Sequence, residues 1–177
     1  MMVSILIILF GVAFILISVV VYKVKSDKKL KYFQSAETIL KSEYLDNCLL
    51  NPFLHDGKAE ESYEQRRMLY IESCNVKPQI EFVFDPHTQV RIGREKTCNL
   101  CLHDDTVSLS HCMIHEAGRL VYLSDFGSAN GTVVRRGLFG RYHLRNTQME
   151  LKNHDRIIIG STVMKVILFV YDSSYIS

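Results

Sequence analysis

The chain has 177 residues, no Trp and a formal net charge of +2. That length holds one globular domain and a small appendage, and so weak a charge gives no reason to expect nucleic acid. Its cysteines, Cys48, Cys74, Cys98, Cys101 and Cys112, are odd in number, which argues against a closed disulfide framework and for reduced thiols in a cytosolic compartment.

Val3 to Tyr22 is an uninterrupted apolar run, with no charged side chain before Lys23. A helix of that length crosses the hydrocarbon of a bilayer. A cleaved signal peptide would carry a basic leader, a shorter apolar core and a small-x-small cleavage site, and none is evident. Residues 1–22 are therefore expected to be a transmembrane anchor. Lys23, Lys25, Lys28, Lys29 and Lys31 follow at once, against a single Asp27. The positive-inside rule then puts everything after residue 23 in the cytoplasm, in the plasma membrane if the source is bacterial.

Residues 23–77 read as a basic juxtamembrane segment and a partly helical linker. Ile39, Leu40, Tyr44, Leu45, Leu49 and Leu50 have spacings compatible with an amphipathic helix. Pro52 and Gly57 punctuate "NPFLHDGK" as a break. "AEESYEQRRMLYIESCN" reads as a further short helix or a tether.

The rhythm changes at Pro78, where a domain over 78–177 is expected to begin. "QIEFVFD", "TQVRIGR", "CNLCLHD", "SHCMIHE", "RLVYLSD", "GTVVRRG", "RYHLR", "QMELKN", "RIIIGS" and "VMKVILFVYD" succeed one another, separated by Gly, Asn, Asp or Ser. Short runs at that spacing predict an all-β, two-sheet antiparallel sandwich.

A sandwich does its chemistry on loops at one end. "IGRE" puts Arg94 past a strand, "TVSLSH" puts Ser108 and His111 in the approach to the next, and "GSANGT" puts Asn130 in a tight turn. A guanidinium fork matches phosphate, a serine hydroxyl adds a neutral donor, and a carboxamide suits a peptide backbone. Each has a plainer reading beside it. Ser108 can cap a turn, His111 can be a satisfied structural histidine, and Asn130 can serve a left-handed backbone before Gly131.

Gly93-Arg94, Ser108-x-x-His111, Asn130-Gly131 and "NHDRIIIG" ending at Gly160 resemble, in order and spacing, the forkhead-associated (FHA) domain family, over about Pro78 to Tyr171. The resemblance implies a β-sandwich that binds phosphothreonine in partner proteins. Arg94 and Ser108 would contact the phosphate and Asn130 the ligand main chain. Gly93 and Gly131 would allow their turns, and His111 would brace the loop that presents Ser108. Leu109 and Ala129 stand in the same binding loops where the family often has Arg and Thr. The resemblance therefore implies a grip that leans on Arg94 and Ser108 and binds more weakly. The residues themselves show no paired carboxylates at convergent spacing, no Ser-His-Asp arrangement on the right loops and no phosphate-cradling glycine loop, so no catalysis, metal or cofactor is expected. The partners expected are a threonine-phosphorylated protein, a Ser/Thr kinase acting in trans and the lipid bilayer, with no nucleic acid. The alternative is a phosphate-independent structural adaptor in a membrane assembly.

Other motifs compete. Cys98 and Cys101 have C-x-x-C spacing, but a zinc site wants a second ligand pair and a redox motif a βαβ context, and both are missing. "RRGLFGRYHLR" clusters Arg135, Arg136, Arg141 and Arg145 with Phe139 and Tyr142. It reads as a solvated hairpin near the ligand edge rather than a nucleic-acid or lipid patch. Asp125-Phe126-Gly127 spells a kinase motif without the catalytic loop or strand lysine that a kinase needs. Asn130-Gly131-Thr132 spells a glycosylation acceptor that a cytoplasmic location would withhold from the machinery.

Overall fold

A computed structural model describes residues 2–50, 66–76 and 79–172. Contacts divide the chain into two compact units, Met1–Ser35 and Ala36–Ser177.

Helix α1, Met2–Leu50, is continuous. It contains a segment within Leu9–Ser42 long and apolar enough to cross a membrane. Phe10, Phe14, Ile15 and Val20 on it all have more than half their surface exposed. The Ser18 hydroxyl, inside the apolar run, is satisfied locally, because it donates to the Phe14 carbonyl at 2.8 Å. The break expected at Pro52 and Gly57 lies outside the described residues.

The second unit carries two sheets. The first has six strands in the order β2-β1-β11-β10-β7-β8. They are β1 Arg66–Ser73, β2 Glu81–Phe84, β7 Thr132–Arg136, β8 Gly140–Leu144, β10 Arg156–Ile159 and β11 Thr162–Tyr171. The second has five, in the order β4-β3-β5-β6-β9. They are β3 Val90–Gly93, β4 Leu100–Cys101, β5 Cys112–Ala117, β6 Leu120–Asp125 and β9 Gln148–Glu150. The pairing is antiparallel except between β3 and the two-residue β4, which run parallel. Each of the ten apolar runs read from Gln79 onward contains a strand. Asp85 caps the 3-10 turn Pro86–Thr88 that joins β2 to β3, accepting from the His87 amide.

The core lies between the sheets. Leu69, Ile71, Val134, Ile157, Ile159 and Val166 from one meet Val90, Ile92, Ile114, Val121 and Leu123 from the other, all essentially inaccessible. Alternation along each strand places them there.

The expected start of the domain at Pro78 is corrected by β1. "RRMLYIES" is neither helix nor tether but a strand paired over its full length with β11 and flanked on its other side by β2. Met68, Leu69, Tyr70 and Ile71 are all buried, so both faces of the strand are covered. A strand covered on both faces shows no polar alternation, and a short apolar run has no period that separates strand from helix.

Candidate functional site

Three connections converge at one end of the sandwich: the segment after β3, the loop from β4 to β5, and the loop from β6 to β7. Gly93 closes β3 in a fully packed position, and a Cβ there would stand 2.2 Å from the Leu109 carbonyl oxygen. Its φ is not positive. Gly93 is therefore needed for close backbone approach and not, as expected, to make a turn. The approach lets the Arg94 amide donate to Ser108 O at 3.0 Å and the Glu95 amide to Leu109 O at 3.1 Å. Arg94 and Ser108 are thus drawn together by main chain, whatever their side chains do.

His111 is wholly buried and uses both ring nitrogens. The Ser108 amide donates to its Nδ1 at 3.2 Å, and its Nε2 lies 3.2 Å from Gly131 O. Those partners specify the tautomer with the proton on Nε2. His111 therefore ties the Ser108 loop to the Asn130 loop. The Ser108 hydroxyl makes a second tie, accepting from the Ala129 amide at 3.1 Å. Gly131 adopts φ +72°, and a Cβ there would meet Leu144 O at 2.9 Å. The left-handed residues of the β6–β7 loop are Gly127 and Gly131, and Asn130 has no positive φ.

The Asn130 side chain is exposed, and its Nδ2 donates to Thr106 O at 2.8 Å. Thr106 is held in turn by Asp104, whose Oδ1 accepts from the Thr106 amide and hydroxyl. Asp104 Oδ2 accepts from the amide and hydroxyl of Ser161, in the β10–β11 turn. The Ser161 and Thr106 hydroxyls hold the Asp104 carboxyl well below the usual range. Gly160, with φ +55°, lets that turn close, since a Cβ would meet Thr106 Oγ1 at 2.6 Å.

Beneath the β6–β7 loop lies Asp125, buried at the end of β6. Its Oδ1 accepts from the amides of Gly127, Ser128 and Asn146, and its Oδ2 from the hydroxyls of Ser128 and Thr132. Burial pushes this carboxyl up, but the bonds from Ser128, Thr132 and Asn146 outweigh it and hold it below its ordinary value.

Arg94, Ser108, Leu109, Ala129 and Asn130 thus lie on adjoining loops, and Gly93, His111 and Gly131 hold those loops together. Arg94 Nη1 lies 3.1 Å from Asp105 Oδ1, an exposed pair. Leu109 is 58% exposed, so it offers apolar surface where a polar contact was the family expectation. The sequence reading missed Asp104, Asp105, Thr106 and Ser161. The Asp-x-Thr spacing of 104–106 is a turn signal that points to the first three, whereas Ser161 joins them only through long-range contact.

The C-x-x-C pair faces the same loops. Cys98 Sγ lies 3.4 Å from Leu109 O, and Cys101 Sγ lies 3.4 Å from Arg94 O. Among the described residues, no three His, Cys, Asp or Glu side chains converge as a metal site. Burial pushes the Cys98 thiol up, which keeps it protonated.

The segment of residues 90–160, which carries all of these side chains except Ser161, matches the FHA domain family. It is an FHA domain. FHA domains are binding modules that take phosphothreonine peptides of partner proteins, and they are not catalytic. The chain is 33% identical over 96 residues to the probable serine/threonine-protein kinase fhkA of Dictyostelium discoideum. That match spans 49% of this chain but only 15% of the kinase, and it covers only the FHA part. Among solved structures, the chain is similar to EmbR of Mycobacterium tuberculosis in complex with a low affinity phosphopeptide, at 21% identity and a TM-score of 0.49, covering 56% of this chain and 24% of that one. It is also similar to the FHA domain of the CT664 protein of Chlamydia trachomatis, at 22% identity and a TM-score of 0.47, covering 57% and 96%.

Proposed function

We propose that the protein is a membrane-anchored phosphothreonine-peptide-binding module that recruits a phosphorylated protein to the cytoplasmic face of a membrane. The observation that carries this is the placement of Arg94, Ser108 and Asn130 on loops locked by main-chain bonds through Gly93 and by His111. Loops so held need no backbone rearrangement for each ligand, and only the Arg94–Asp105 contact has to be exchanged. Arg94 and Ser108 take the phosphate, Asn130 takes the peptide main chain through Oδ1, and Leu109 and Ala129 border the peptide. A Ser/Thr kinase supplies the mark in trans, and this chain performs no catalysis.

Anchoring rests on the exposed apolar side chains of α1, which water does not favour and a bilayer does. The lysines that follow favour a cytoplasmic domain. Resistance of the full chain to alkaline extraction from membranes tests the anchor, and N-terminal sequencing detects a cleaved signal. Titration with matched phosphothreonine and unphosphorylated peptides tests the reader. Equal affinity for both would reject it.

One observation favours a second reading. Asp105 already occupies the Arg94 guanidinium, as it would in a phosphate-independent adaptor. Pull-down from membranes with and without phosphatase treatment separates the two, because only a phospho-reader loses its partner on dephosphorylation.

A further inference from the structure

The arginine cluster read from "RRGLFGRYHLR" is divided by the fold. Arg145 adjoins Gly131 at the binding end, whereas Arg135, Arg136 and Arg141 lie at the opposite end of β7, about 15 Å of strand away. The expectation of a hairpin near the ligand edge is corrected accordingly. Register then sorts the distant arginines by face. Arg136 turns inward and pairs with Asp155. Arg135 is opposite Arg141 on β8 and opposite Arg156 on β10, and Arg156 is opposite Lys165 on β11.

Arg141, Arg135, Arg156 and Lys165 thus form one row across four adjacent strands, on the face away from Val134, Ile157 and Met164. Like charges directly opposite one another destabilise a sheet. Lys165 is relieved by Glu72 at 3.5 Å. Among the described residues, Arg135, Arg141 and Arg156 have no ion pair. The row therefore carries a repulsive cost within the chain that an external anion would offset.

The second observation is the turn beside it. Gly137-Leu138-Phe139 joins β7 to β8, and Leu138 and Phe139 are 93% and 94% exposed. They project at the rim of a concavity of about 690 Å³, which they line together with the cationic row. Two projecting apolar side chains beside a bank of arginines match the boundary between acyl chains and anionic headgroups, where apolar burial and charge attraction add. An acidic peptide would satisfy the arginines but leave the protruding pair in water.

We propose that this face is a docking surface for an anionic bilayer, with Leu138 and Phe139 inserted and Arg135, Arg141, Arg156 and Lys165 against lipid phosphates. It is independent of the phosphothreonine site, which lies at the other end of the sandwich, so both can be engaged together.

The chain has no Trp, so Phe139→Trp creates a single reporter at an exposed position. The full chain carrying it is reconstituted in phosphatidylcholine vesicles with or without a third of phosphatidylserine. Blue-shifted emission and quenching by brominated lipid are expected in the anionic vesicles, reduced in the neutral ones and reversed by high salt. Adding Arg135→Gln and Arg156→Gln should abolish the shift while leaving the thermal unfolding of the domain unchanged or slightly raised. Emission equal in both vesicle types would overturn the proposal, as would a shift that survives the double neutralisation. A shift produced by soluble polyglutamate but not by anionic vesicles would reassign the face to an acidic protein.

Discussion

Arg94 donates to the Asp105 carboxylate at 3.1 Å across the mouth of the binding loops, and Asp105 is 98% exposed. The pair sits in water, where such contacts contribute little. A phosphate carries more charge than a carboxylate and accepts the guanidinium fork through two oxygens. In the proposed site Asp105 would therefore be a weak internal competitor, displaced by an arriving phosphothreonine.

Arg94→Ala should lower affinity for a phosphothreonine peptide by roughly 10- to 100-fold, the loss expected for charge-assisted hydrogen bonds of about 1.5–3 kcal/mol. Asp105→Asn should act in the opposite direction, tightening binding about two- to fivefold as the weak exposed pair is removed. Calorimetric titration measures both. If Asp105→Asn weakens binding, the carboxylate orients Arg94 instead of competing for it.

Gly93→Ala should destabilise the domain by about 3 kcal/mol, the upper end of the overpacking range. The added methyl collides with the Leu109 carbonyl at 2.2 Å, and that neighbour is backbone and cannot turn aside. Urea denaturation of the full chain in detergent reads the loss. Gly118→Ala, which meets open space at a φ of +65°, should cost only about 1 kcal/mol through its backbone alone.

Asp125 predicts an acid limb of stability. Its folded pKa is depressed, so its contribution is complete above the unfolded carboxylate value and is lost as pH falls through the folded one. Wild-type stability should therefore hold from pH 7 down to about pH 4 and decline below it. Asp125→Asn should be less stable at pH 7 by at least about 2 kcal/mol, because donors lose a charged acceptor. It should also show a shallower decline. An unchanged acid limb in the variant would place the linkage on other carboxyls.

Arg135 and Arg136 are adjacent in sequence and opposite in consequence. Arg136 makes a two-pronged contact with buried Asp155, at 2.9 Å through Nε and 2.6 Å through Nη2. Arg136→Ala leaves that buried carboxylate with the Lys152 amide but no cation and should cost about 3 kcal/mol. Arg135→Ala relieves repulsion on the outer face and should leave thermal stability unchanged or slightly higher. Melting curves of the two variants provide the comparison.

Most of the sandwich was legible, because strands exposed on one face advertise themselves. Cys112–Ala117 and Leu120–Asp125 alternate buried and accessible positions, and short polar turns bound them. The candidate site was legible as residue types at a spacing: Arg94, Ser108 and Asn130 each follow or precede a strand at a glycine or turn signal. β1 was not legible, because its inner residues are buried on both faces and its partner β11 lies nearly a hundred residues away in sequence.

By itself, the sequence determined the apolar N-terminal helix, the succession of strands and the loop residues proposed to grip a phosphate. These depend on local composition and on periods of a few residues. Only the tertiary structure decided which loops meet. It showed that Gly93 serves a backbone contact rather than a turn, that Asp105 lies on Arg94, that Asp104 bridges Thr106 to Ser161, and that four cations align across one sheet. Pairing register and loop contact join residues far apart in the chain, and no local pattern records which distant backbone will lie opposite.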